Sequence, residues 1–168
     1  MREPFFDSVR IFDDKAQCDA FLLATMGLDP GTKLPAEFCA ALEQQALMAV
    51  SPAIYHTVYP DGREDNSYGK LLAHEIAHRL HIRILNGDEE AMGPVWFYEG
   101  FAICAADQMN DPNFTLTDDE LWRIVENPNR GSYKKYGAVI RRFLKKRTIE
   151  EMVEKAGKSG FIEWLRAG

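Results

Sequence analysis

The sequence predicts a mainly helical α+β domain. Three observations carry that expectation: apolar runs at helical spacing with caps at their ends, one β-branched and aromatic segment at residues 53–59, and a length suited to a single core. The 168 residues read as one domain, 1–168, with an N-terminal helical segment at 1–50 and C-terminal helices at 111–168. Between them, 51–110 is expected to hold a strand followed by two motif helices, with a small sheet packed on the first of these.

Composition narrows the classes. No apolar run approaches the roughly 18 residues of a membrane span, and Met1-Arg2-Glu3-Pro4 does not open a secretory leader. The expectation is a cytoplasmic protein without a membrane partner. The net charge of −6 argues against nucleic acid as the main partner, because phosphate binding wants a basic footprint. One segment departs from that balance: Lys134, Lys135, Arg141, Arg142, Lys145, Lys146 and Arg147 occur with no intervening acid, and they read as the solvated face of a helix. Cys18, Cys39 and Cys104 lack Cys-x-x-Cys spacing and read as buried thiols.

Taken in order, Ser8 to Phe12 reads as a short strand. Asp13 or Asp14 then caps a helix through Ala16, Ala20, Phe21, Leu23 and Ala24 that stops at Gly27. Pro35 suits the first turn of a second helix, carried by Phe38, Leu42, Leu47 and several alanines to about Val50. Pro52 ends it. Ala53 to Tyr59 is then expected as a strand closed by Pro60-Asp61-Gly62, with an edge that an extended peptide can join by strand addition. His56 on that strand is read as facing solvent.

The next helix, capped by Asn66 or Ser67 and stopped at Gly87, contains His74-Glu75-Ile76-Ala77-His78. Positions i and i+4 share a helix face, so the two imidazoles can address a single ion while Glu75 borders the same cleft. Two neutral imidazoles leave room on a tetrahedral zinc for a third protein ligand and a water, and a neighbouring carboxylate can take that water's proton. Leu71, Leu72, Ile76, Ala77 and Leu80 are expected to pack the helix. His81 lies about 10 Å further along the axis than His74, too far to join the same ion, and a solvent-facing or ligand-supporting position is expected for it.

Pro94 opens a further helix in which Glu99 is a lone carboxylate among Trp96, Phe97, Phe101 and Ile103. A buried carboxylate needs a strong partner, and a metal is one of the few that suffice. Gly100 lets another backbone come close. Thr117 and Thr148 each begin a capping box, and Ser132 starts the basic helix with an inward stripe of Tyr133, Tyr136, Ile140, Phe143 and Leu144. Phe161 to Leu165 forms a last amphipathic element.

His74-Glu75-x-x-His78 followed by Trp96-x-x-Glu99-Gly100-x-Ala102 resembles the gluzincin clan of zinc metallopeptidases, in which a second helix supplies a glutamate. Twenty residues separate His78 from Glu99, close to the clan's usual spacing. The resemblance implies a zincin-like fold, His74, His78 and Glu99 as ligands to Zn2+, Glu75 as general base, and a peptide or protein substrate bound antiparallel to an edge strand. Tyr133-Lys134-Lys135-Tyr136-Gly137-Ala138 is similar to the Tyr-Glu-Lys-Gly segment of aminopeptidase-like members, which implies Tyr133 or Tyr136 as oxyanion donor. One position departs from the pattern. Thermolysin-like members place an acid four residues after the ligand glutamate to orient a histidine, and here that residue is Ile103, with Asp107 one turn on. The metzincin pattern does not fit, since the third and sixth residues after His78 are His81 and Ile84. The expected function is zinc-dependent peptide-bond hydrolysis. The alternatives are a zincin-like binding or regulatory module without catalysis, and a latent peptidase whose own terminal segment blocks the cleft.

Overall fold

A computed structural model describes residues 4–168, whose contacts gather into two compact units that divide between Ile76 and Ala77. The class is α+β and mainly helical, as expected, with a three-stranded mixed sheet.

The first unit contains β1 (Ser8–Phe12), α1 (Lys15–Met26), β2 (Ala40–Glu43), β3 (Ala46–Val50), α2 (Pro52–Val58) and the beginning of α3 (Ser67–Ile84). The sheet order is β1-β3-β2, with β1 parallel and β2 antiparallel to the central strand. Asp14 caps α1 by accepting from the Gln17 N–H at 2.8 Å, and Gly27 ends it at φ 66°, the left-handed region that glycine enters without a Cβ clash.

Two elements differ from the sequence reading. Where a helix from Pro35 to about Val50 is expected, residues 40–50 form a hairpin of β2 and β3. Its turn is Gln44-Gln45, both at positive φ (45° and 63°), which matches the twist of the flanking strands without the Asn-Gly that usually marks such a turn. Leu47 through Val50 are buried together because β3 lies between two neighbours, and a short continuous apolar run has no period to identify it.

Residues 53–59 are the converse case. The expected strand is helix α2, opened by Ser51 with Pro52 at its first position. Ile54, Tyr55, Val58 and Tyr59 recur at helical spacing and join the cluster of Cys18, Cys39 and Val50, so burial of one face outweighs the β-propensity of the segment. The sheet therefore excludes 53–59, and the peptide-binding edge expected there does not exist. His56 is exposed, as expected, but on a helix. Tyr55 is buried with its hydroxyl 2.6 Å from Ser67 Oγ, and a Cβ on Gly62 would lie 2.6 Å from that hydroxyl, so glycine is required where the chain turns toward α3.

The second unit continues α3 and adds a 3-10 turn (Glu89–Met92), α4 (Val95–Ala105), α5 (Asp118–Val125), α6 (Tyr133–Phe143), α7 (Ile149–Ala156) and α8 (Phe161–Arg166). Both capping boxes are present: Thr117 accepts from the Glu120 N–H and Thr148 from the Glu151 N–H, each at 3.2 Å, with the glutamate side chain returning the bond. The core joins Trp96, Phe97, Phe101, Tyr136, Ile140, Phe143, Met152 and Phe161. Helices α4 and α6 cross closely. A Cβ on Gly100 would sit 2.6 Å from Ile140 Cγ1 and 2.8 Å from the Tyr136 carbonyl oxygen, and one on Gly137 would sit 2.6 Å from Ile103 Cγ2.

Leu80 and Leu144, expected inside, are 38% and 39% exposed. The three cysteines are free, with Cys18 and Cys39 buried, and burial pushes both of those thiols up to about 11. Among the described residues, no helix is long and apolar enough to cross a membrane.

Candidate metal centre

Helix α3 carries the motif histidines one turn apart, and α4 carries the glutamate. His74 and Glu99 are buried and His78 is half-buried. One ligand atom from each of the three lies within 4.8 Å of the others, the only such group of three or more His, Cys, Asp or Glu among the described residues. His78 Nε2 and Glu99 Oε2 are 3.5 Å apart. Two donors bound to one tetrahedral zinc at about 2.0–2.1 Å would be separated by about 3.3 Å, so this pair fits a shared ion. Imidazole nitrogen and carboxylate oxygen are both donors that a zinc ion accepts. Glu75, next to His74 on α3, is half-buried.

The burial of Glu99 has a second explanation that the sequence did not disclose. Arg130, in the loop before α6, donates from Nη1 to Glu99 Oε1 at 2.6 Å, so a guanidinium matches the carboxylate charge. The case for a metal therefore rests on the convergence of the two histidines with Glu99 rather than on an uncompensated charge. Arg130 Nη1 also donates to the Tyr133 hydroxyl, and Nη2 donates to the Tyr98 hydroxyl at 3.3 Å. Burial raises the Tyr98 hydroxyl pKa, with the Arg130 charge opposing the rise. The Tyr98 ring is 6.0 Å from the His78 ring.

The two candidate tyrosines occupy different places. Tyr133 faces Glu99, its hydroxyl 3.5 Å from Oε1. Tyr136 is buried in the core, and its hydroxyl accepts from the Gly131 N–H while donating to the Asn129 carbonyl at 3.4 Å. It thereby holds the segment that presents Arg130. Asp107 is exposed, with its carboxylate accepting from Asn110 at 2.9 Å, and Ile103 is in the core.

His81 corrects the sequence reading. It is fully buried, its ring 5.7 Å from Phe97 and 4.6 Å from Phe101, and neither ring nitrogen has a hydrogen-bond partner. Burial, reinforced by the nearby His78, pulls its pKa from 6.5 down to about 4. The helix face that it shares with His74 suggested solvent or a supporting contact, whereas the aromatic residues of α4 cover it.

No family model, no curated protein and no solved structure matches this chain.

Proposed function

We propose that this chain is a zinc-dependent hydrolase of peptide bonds. The convergence of His74, His78 and Glu99 within 4.8 Å is the observation that carries the reading. These three residues would hold the ion, which when bound polarises a water molecule and a substrate carbonyl. Glu75, next to His74 on α3 and half-buried, would accept the water's proton on a carboxylate oxygen and return it to the departing amine nitrogen. The surroundings favour Tyr133 over Tyr136 as oxyanion donor, because Tyr133 adjoins Glu99 whereas Tyr136 is committed to the 129–131 segment. A peptide or protein is the proposed substrate.

Metal analysis of the purified chain tests the site directly, with about one zinc per chain expected. Glu75→Gln should retain that zinc and lose hydrolysis of a peptide library. A native chain that takes up no zinc would refute the reading and leave Glu99 and Arg130 as a structural ion pair. Zinc retention with equal hydrolysis by Glu75→Gln would refute the role of the base.

A further inference from the structure

Glu99 presents its two oxygens to different neighbours. Oε1 accepts from Arg130 at 2.6 Å and faces Tyr133, while Oε2 lies 3.5 Å from His78 Nε2. Arg130 is itself tied in place through Tyr133 and Tyr98, and its loop is held by the Tyr136 hydroxyl against the Gly131 N–H and the Asn129 carbonyl. A carboxylate held this way cannot exchange its oxygens by rotation without breaking a charge-assisted hydrogen bond.

We propose that Arg130 is a positioning residue for the metal ligand, fixing Oε1 so that Glu99 offers Oε2 alone to the ion. The inference rests on the metal site proposed above. Two consequences follow from the geometry. The carboxylate is ordered before the ion arrives, so less conformational freedom is lost on binding. A glutamate that binds through one oxygen also leaves a coordination position for water and substrate. An opposite effect acts too, since a guanidinium repels a metal cation. Its side chain is 54% exposed, so water screens that repulsion, and the fixed orientation of Glu99 is the larger effect.

The test uses the full chain with Arg130→Met and Arg130→Lys, with Zn2+ affinity read by competition against a chromophoric chelator. Arg130→Met should bind Zn2+ roughly 10- to 100-fold more weakly, and Arg130→Lys, which keeps the charge without the planar fork, should fall between. Loading with Co2+ gives an independent readout. In Arg130→Met the visible bands should lose intensity as Glu99 turns to offer both oxygens and the coordination number rises. Unchanged or tighter Zn2+ binding by Arg130→Met overturns the assignment, and tighter binding would identify the guanidinium as a competing cation. Uptake of neither ion by the native chain is a separate result that removes the metal site itself. Melting in chelator establishes that the variants fold, and Arg130→Lys carries the comparison if Arg130→Met does not.

Discussion

Replacing His81 with leucine should make the protein less sensitive to acid, and the size of the effect follows from where the imidazole sits. In the folded chain His81 lies between Phe97 and Phe101 without a hydrogen-bond partner, and its pKa is pulled from 6.5 to about 4, chiefly by burial. Its folded pKa is depressed, so it stays neutral in the native state while the unfolded chain takes up a proton below about pH 6.5. Above that pH the group contributes no pH dependence. Between pH 6.5 and about 4 it disfavours folding by about 1.4 kcal/mol for each pH unit, and about 3 kcal/mol is lost across the window. His81→Leu removes this loss. At pH 7 it also deletes two buried polar nitrogens that lack partners, which should leave stability unchanged or raise it by about 1–2 kcal/mol. The assay is urea unfolding of both proteins at pH 7, 6, 5 and 4 in the presence of chelator, so that metal release adds nothing. If the two chains lose stability in parallel from pH 7 to pH 4, the imidazole is not held neutral between the phenylalanines and the reasoning fails.

Other substitutions test the packing that positions the site. Gly100→Ala would gain about 1 kcal/mol of helix propensity, but its methyl would meet Ile140 and the Tyr136 backbone carbonyl at 2.6 and 2.8 Å. A carbonyl inside α6 cannot yield, so a net loss of about 1–2 kcal/mol is expected, and an unchanged or higher urea midpoint would contradict the close α4–α6 crossing. Thr117→Ala and Thr148→Ala each remove a capping box and should each cost about 1 kcal/mol. Because the caps serve separate helices, the double variant should show the sum within about 0.5 kcal/mol in the same unfolding measurement.

The sequence disclosed the parts of this molecule whose signals are local. Asp14 and Gly27 bracket α1, Pro94 precedes α4, and two Thr-x-x-Glu boxes open α5 and α7, because each of these residues meets a backbone requirement within a few positions of itself. The 40–50 hairpin and α2 were hidden for opposite reasons. Alanines and a Gln-Gln turn concealed strands that only their neighbours stabilise, and β-branched and aromatic residues concealed a helix that buries one face in the cluster around Val50. At the site, His74 and His78 were legible from helical spacing, and Glu99 as a lone carboxylate in an apolar helix. Arg130 was not, because its contact with Glu99 spans 31 residues and depends on how α4 and α6 meet at Gly100 and Gly137. His81 was misread because periodicity names the residues that share a face and says nothing of what covers each of them.

The two buried cysteines of the first unit supply a reporter that needs no engineering. With Cys18 and Cys39 pushed up to about 11, on the order of one thiol in ten thousand is ionised at pH 7, and the thiolate is the form that reacts or binds metal. Neither should draw zinc away from the histidines. A thiol-directed label can reach them only when the apolar cluster around Val50 and Tyr55 opens, so their labelling rates, resolved from that of the half-buried Cys104 by peptide mapping and compared with those of the denatured chain, measure the opening free energy of that cluster.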